Sequence, residues 1–148
     1  MPPWDIPEKN DKQAMSWNNP FQIDLEVTYR GGIALIKSNN KALNWKNSED
    51  LKHQLSPILD QTTRIIFDLS AVRTIDSSGL GALMWLLRQI NNRKGKLNLC
   101  GLQRTVRLAL ELMRMHRLVE CYTSVEEAFQ HEKSATSPRR LTEDPFHN

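Results

Sequence analysis

A buried strand followed closely by a strongly apolar helix constrains the fold of this chain more than any other feature. The run RIIFDLSAV at residues 64–72 is apolar, rich in β-branched side chains and of strand length, as is typical of a strand at the centre of a sheet. Apolar residues then recur at helical spacing from about Ser78 to Arg93, and Gly95 ends the pattern. A strand and a helix joined by the short segment TIDSSG favour an α/β fold.

The segments before this unit predict a hairpin and a helix. Apolar residues at every second position of residues 21–27 indicate a strand with one buried face. Gly31 and Gly32 turn the chain into a second strand, IALIK. Helical spacing follows Ser48, a candidate N-cap, and Pro57 predicts a kink or an early end of that helix.

The segments after the unit predict a strand and two helices. KLNLCGL has the composition of a short strand, and residues 104–117 predict a helix that is apolar nearly all round and therefore mostly buried. Ser124 and Glu127 form a candidate capping box for a last short helix. The order β-β-α-β-α-β-α-α predicts an α/β sandwich with a mixed sheet.

Composition limits the number of domains and the classes of partner. The 148 residues suffice for one domain, and proline and polar residues gather at the two ends. We therefore expect a flexible arm at residues 1–20, one domain at 21–130 and a flexible tail at 131–148. The net charge of +3, without a basic run interleaved with aromatics, does not favour a nucleic-acid surface.

The chain also lacks sequence signals for export or membrane insertion. Its N-terminus, MPPWDIPEKN, has no apolar core of a signal peptide, and no apolar stretch is long enough to cross a bilayer. We expect a cytoplasmic protein that does not insert into membranes. Cys100 and Cys121 each lie in an apolar run, which predicts reduced, buried thiols.

The connection TIDSSG is the candidate functional site. Asp76, Ser77 and Ser78 stand where a strand ends and a helix begins, so unpaired N–H groups and the positive end of the helix dipole favour an anion there. N-capping accounts for one of these residues. It does not account for Gly79 and Gly81, which together cost the helix about 2 kcal/mol. Glycines at this point keep the surface flat and let another backbone or a bulky group approach, and a hydroxyl beside them is accessible to a protein kinase.

Enzyme motifs do not fit the same residues. The nucleophile elbow G-x-S-x-G fails around both serines, and Met84 replaces the third glycine of a dinucleotide loop. The P-loop pattern also fails at this connection, because neither Gly79 nor Gly81 is followed by lysine. The four histidines have no partner at metal-ligand spacing. We therefore expect no catalytic residues, no metal and no cofactor.

The segment RIIFDLSAVRTIDSSGLGALMWLLRQINNRKGKLNLCGL resembles STAS domains, in the branch of bacterial anti-sigma-factor antagonists, and the similarity extends over residues 21–129. The resemblance implies a single domain with a mixed sheet and helices packed mainly on one side. It implies a binding protein rather than an enzyme. The implied partner is an anti-sigma factor that is also a serine kinase with a histidine-kinase-like ATPase fold.

The resemblance also implies a switch and its residues. The kinase would phosphorylate Ser77 and so release the antagonist, and a PP2C-type phosphatase would reverse the reaction. The implied docking surface comprises Asp76, Ser78, Gly79, Leu80 and Gly81, together with Asn44.

The chain departs from the family pattern at two points. Asn44 occupies the place of an aspartate that the family commonly has after its second strand, and Arg114-Met115-His116 stands where the family often has glycine before the final strand. Two alternatives therefore stay open. One is a STAS module that regulates a non-sigma partner, such as a phosphatase, a cyclase or a secretion system. The other is a module that binds a small ligand or a nucleotide.

Overall fold

The structure, a computed structural model, describes residues 19–134. The predicted arm and tail lie almost wholly outside these residues. Within them the chain forms seven strands and four α-helices. The strands are β1 (Leu25–Arg30), β2 (Ile33–Ser38), β3 (Ala42–Leu43), β4 (Arg64–Asp68), β5 (Thr74–Ile75), β6 (Lys96–Cys100) and β7 (Glu120–Tyr122). The helices are α1 (Ser48–Gln61), α2 (Ser77–Asn92), α3 (Arg104–Leu112) and α4 (Val125–Ser134).

The main sheet has five strands in the order β1-β2-β4-β6-β7. β1 and β2 are antiparallel, and every other neighbouring pair is parallel, so the sheet is mixed as predicted. Gly31 and Gly32 have φ values of +60° and +79°, and a tight hairpin turn requires this positive-φ backbone conformation. β4 lies in the middle, with Ile65, Ile66 and Phe67 fully buried, which confirms the prediction of a central strand.

The helices cover the two faces of the sheet unequally. α1, α2 and α3 pack on one face and enclose the larger core, which includes Leu55, Phe67 and Leu86. α4 alone covers the other face, where Ala128 and Phe129 contact a smaller cluster. Three of these four helices lie on one side, which confirms the expected arrangement.

α4 begins with the predicted cap in a modified form. The backbone N–H of Glu127 donates to Ser124 Oγ at 3.1 Å. The Glu127 carboxylate accepts from the N–H and the hydroxyl of Thr123, rather than from the N–H of Ser124. These hydrogen bonds hold the pKa of Glu127 below its usual value. The helix continues to Ser134, so the predicted domain boundary at residue 130 falls inside it.

The helix predicted over residues 104–117 is shorter than expected. α3 ends at Leu112, and Arg114 adopts a left-handed conformation with φ of +59°, before a single 3₁₀ turn at Met115–Arg117. A left-handed residue cannot continue an α-helix, and glycine takes this conformation more easily than arginine. The chain then forms β7, which the predicted order omitted because three residues are too few to show an alternating pattern.

Three smaller predictions also need correction. The strand predicted over residues 21–27 begins only at Leu25, as β1. Val27, which was expected on its buried face, is exposed, and so is Tyr29. Pro57 is exposed within α1 and does not end that helix early. Ser48 is not the cap of α1, because the helix begins at Ser48 itself and Asn47 precedes it.

Both cysteines are free thiols, as expected. Cys100 is fully buried beneath α4, and Cys121 is half-buried against the larger core on the opposite face of the sheet. Burial raises the pKa of Cys100 to about 12, and the nearby Asp68 carboxylate acts in the same direction. The Cys100 thiol is therefore protonated and unreactive near neutral pH.

One buried acid of α4 provides a test of how this helix is anchored. Glu132 accepts a hydrogen bond of 3.0 Å from Asn98 Nδ2 and lies 3.6 Å from Arg64 Nε. Glu132→Ala leaves the buried Asn98 amide without this partner, so we expect a loss of about 2 kcal/mol in the free energy of unfolding, measured with urea. Glu126→Ala is the matched control, because Glu126 is 61% exposed and pairs with Arg30 on the surface. Its expected loss is below about 1 kcal/mol. Equal losses for the two variants would contradict this account.

Candidate functional site

The site is built at the ends of two very short parallel strands. β3 and β5 pair through Ala42 with Thr74 and Leu43 with Ile75, apart from the main sheet. The residues that follow them, Asn44 and Asp76, therefore emerge at the same edge. The backbone N–H of Asp76 extends the pairing by donating to the Leu43 carbonyl at 3.1 Å.

Asp76 is the N-cap of α2. Its Oδ1 accepts from the N–H of Gly79 at 2.9 Å, and its Oδ2 accepts from the N–H of Trp45 at 3.0 Å. A side-chain cap of this kind stabilises a helix by about 1 kcal/mol. The second bond fixes the β3–α1 loop against the same helix end. The capping role therefore belongs to the aspartate and not to either serine.

Asn44 and Asn47 give the β3–α1 loop its shape. Asn44 Oδ1 accepts from the N–H of Lys46 at 3.0 Å. Asn47 Oδ1 accepts from the N–H of Asn44 at 3.0 Å, and its amide donates to the Ala42 carbonyl at 2.9 Å. Asn44 lies beside Asp76, because Leu43 and Trp45 on either side of it both form hydrogen bonds with Asp76. The hydrogen bond of its side chain is made within its own loop, so its contribution is to hold that loop in place.

The two serines differ in exposure. Ser77 is the first residue of α2 and is exposed, whereas Ser78 is half-buried. Within residues 19–134 the Ser77 hydroxyl has no hydrogen-bond partner. Because the first turn of a helix carries unpaired N–H groups and partial positive charge, an added anion at Ser77 is favourably placed.

The two glycines of the first turn have different surroundings. Gly79 is buried, and a Cβ added to it would collide with the carbonyl oxygen of Leu43 and approach Ile75 Cγ1 to 2.8 Å. The sequence predicted that another backbone or a bulky group could come close to the two glycines. At Gly79 the backbone that comes close is that of Leu43 in the same chain. Gly81 is exposed, with nothing within 4 Å of an added Cβ. Leu80 is half-buried and packs against the main core. Of these three residues, Gly81 has the most open surroundings.

An exposed aromatic pair lies beside the site and was not predicted. Trp45 is 62% exposed, and its ring meets that of Phe21 edge to face with centroids 6.1 Å apart. Lys46 Nζ lies 5.7 Å from the centroid of the Trp45 ring. We call Phe21 and Trp45 the aromatic patch. The sequence feature that could have indicated this patch is the tryptophan within the otherwise polar segment NWKN.

Two other kinds of feature, a metal-binding cluster and a membrane-spanning helix, are absent from the described residues. No group of three or more His, Cys, Asp or Glu side chains within residues 19–134 is arranged to hold a metal ion. In the same range, no helix is both long and apolar enough to span a bilayer.

The chain belongs to the STAS domain family, whose model matches residues 24–128. A curated relative, an anti-sigma F factor antagonist from Paenibacillus polymyxa, is 21% identical over 104 residues, which are 69% of this chain and 88% of the relative.

Two solved structures have a similar fold. The crystal structure of a putative anti-sigma factor antagonist from Thermotoga maritima is 25% identical with a TM-score of 0.68, over 72% of this chain and 92% of that one. The Bacillus cell fate determinant SpoIIAA in its phosphorylated form is 20% identical with a TM-score of 0.59, over 74% and 97% of the two chains. The expected fold is thereby confirmed.

The two glycines form a matched pair for mutagenesis. Gly79→Ala forces a methyl group onto the Leu43 carbonyl, so we expect a loss of about 2 kcal/mol or more in the free energy of unfolding. Gly81→Ala meets open space and gains helix propensity, so it is expected to add up to about 1 kcal/mol. Urea denaturation of the two variants measures both effects. A stability of Gly79→Ala equal to that of Gly81→Ala would show that the approach to Leu43 does not require glycine.

Proposed function

We propose that this protein is an anti-sigma-factor antagonist that acts by binding, not by catalysis, in a phosphorylation-controlled partner switch in the cytoplasm. Unphosphorylated, it binds an anti-sigma factor that is also a serine kinase. Phosphorylation of Ser77 releases it, and a PP2C-type phosphatase restores the binding form. The observation that carries the proposal is the exposed, unpaired Ser77 hydroxyl at the start of α2, next to the capping Asp76. Membership of the STAS family and the antagonist among its relatives support it.

The position of Ser77 allows phosphorylation without unfolding. The side chain is exposed and takes no part in the cap, so a phosphate there breaks no hydrogen bond within residues 19–134. The free N–H groups of the helix start are able to donate hydrogen bonds to the new anion. The folded domain therefore tolerates both forms of Ser77, which a reversible switch requires.

Release follows from the surface around Ser77. A partner that packs on Ser77, Gly81 and the aromatic patch removes water from the hydroxyl. A phosphate adds about −1.5 to −2 charges in that contact, where it is poorly solvated. The carboxylate of Asp76 is close by and repels it. Charge and bulk at the contact, rather than a change of fold, then weaken the complex.

A second candidate is a STAS module that switches a partner other than an anti-sigma factor. It is favoured by Asn44, which is neutral where the family commonly has an aspartate, because loss of a charge beside the switch changes which partner fits. Transcription by purified polymerase with its sigma factor and anti-sigma factor separates the two functions. An antagonist restores transcription, whereas a module for another partner leaves it inhibited.

The switch itself is tested by phosphorylation and affinity. Incubation with the cognate kinase and ATP should place one phosphate on Ser77, located by mass spectrometry. Because of the charge at the contact, phosphorylated protein and Ser77→Asp should bind the nucleotide-bound kinase at least about tenfold more weakly in calorimetric titration. Ser77→Ala is the control and should bind without being modified. Modification only at Ser78, or equal affinities for wild type and Ser77→Asp, would argue against the proposal.

The aromatic patch gives a second test at the same surface. Trp45→Ala removes an exposed aromatic anchor, so we expect the affinity for the kinase to fall about tenfold or more. The free energy of unfolding should change by less than about 0.5 kcal/mol because the ring is largely exposed. Tyr29→Ala is the matched control, since Tyr29 is similarly exposed but lies on β1. If both variants bind like wild type, the partner does not contact the patch.

A further inference from the structure

The outer face of α3 is apolar although nothing within residues 19–134 covers it. Leu112 is 85% exposed, Leu108 is 48% exposed, and Met113 follows them at the end of the helix with 54% exposed. Only Val106 and Leu110 of this helix are fully buried. The sequence pattern predicted a mostly buried helix, and that prediction is wrong. Residues 108 and 112 are four positions apart, so the two leucines lie side by side and form a ridge on the surface.

Three arginines lie beside this ridge. Arg104 lies one turn before Leu108, Arg107 is the residue directly before Leu108, and Arg114 follows the end of the helix; all three arginines are exposed. Glu111 is the one acidic residue of α3. Within the described part of the chain, none of these three arginines forms an ion pair. The face therefore combines an apolar ridge with a positive rim, whose arginines form no ion pair within residues 19–134 and which also contains Glu111.

This combination selects among possible occupants. A second copy of the chain that used the same face would bring the arginines of both copies together, which opposes association. A membrane surface would receive only two leucines and one methionine from a helix of 9 residues, a small apolar area for stable binding. A partner helix with apolar residues four apart and carboxylates beside them matches both the ridge and the rim.

We propose that α3 is a docking surface for an acidic amphipathic helix of a partner protein. Leu108 and Leu112 contact the apolar side of that helix, and Arg104, Arg107 and Arg114 face its carboxylates. The surface goes beyond the proposed switch, because it does not include Ser77 and does not depend on its phosphorylation. α3 packs beside β5, which leads directly into Asp76.

The test uses two synthetic helical peptides and the full chain. Both peptides carry leucines four residues apart; one has glutamates at the flanking positions, and the other has lysines there. The acidic peptide should shift the amide resonances of α3 in a saturable way, and added salt should weaken its binding because the contact is partly ionic. The lysine peptide should produce no saturable shift.

Two pairs of substitutions separate the ridge from the rim. Leu108→Ser with Leu112→Ser, and Arg104→Glu with Arg107→Glu, should each weaken binding of the acidic peptide by about tenfold or more. These side chains are exposed, so the variants should unfold at nearly the wild-type urea concentration. Arg88→Glu on α2 is the matched control and should bind normally. Ser77→Asp should also bind normally, which distinguishes failure of this proposal from failure of the switch.

The remaining outcomes overturn the proposal. Absence of binding by the acidic peptide, equal binding of the two peptides, or shifts confined to other elements would each do so. If the peptide does not bind, the chain can be sedimented with vesicles of phosphatidylglycerol and phosphatidylcholine. Sedimentation that the leucine substitutions abolish would assign the face to a membrane. Self-association that the same substitutions abolish would assign it to a second copy.

Discussion

The two hydrogen bonds of the Asp76 carboxylate hold the candidate site together. One oxygen caps α2 and the other fixes the N–H of Trp45, a residue 31 positions earlier in the chain. This one side chain links the β3–α1 loop, which carries Trp45 of the aromatic patch, to the helix start that presents Ser77. Gly79 completes the arrangement, because only a residue without Cβ lets the helix approach the Leu43 carbonyl so closely.

Sequence patterns predicted the parts of the fold that have long, regular apolar spacing. α2 and β4 are such elements, and the hairpin at Gly31 and Gly32 has an equally clear local signal. The elements missed were those with few residues or a local exception. β7 has three residues and β3 has two. α3 ends earlier than predicted because Arg114 adopts a left-handed backbone conformation, which an arginine in the sequence does not indicate.

The site was predicted in part for the same reason. The position of Asp76 and the serines followed from a strand, a connection and a helix that were each recognisable. The close contact of Gly79 with Leu43 and the position of Trp45 beside Asp76 depend instead on β3. This strand lies far from α2 in sequence and pairs through two residues only. Exposure of Leu108 and Leu112 depends on what the rest of the chain leaves uncovered, and helical periodicity gives no information about that.

The different roles of Asp76 and Ser77 explain how the proposed switch can stand at a helix terminus. If the serine were the cap, its phosphorylation would remove a hydrogen bond on which α2 depends, and the folded state itself would change. Because the Asp76 side chain makes the capping hydrogen bond, the neighbouring Ser77 hydroxyl is not needed to stabilise the start of α2. Its proposed modification would therefore alter the charge of the surface without removing a hydrogen bond of the helix cap. The same carboxylate lies beside the hydroxyl, so the charge of an added phosphate would be opposed most strongly when a partner excludes water from both groups.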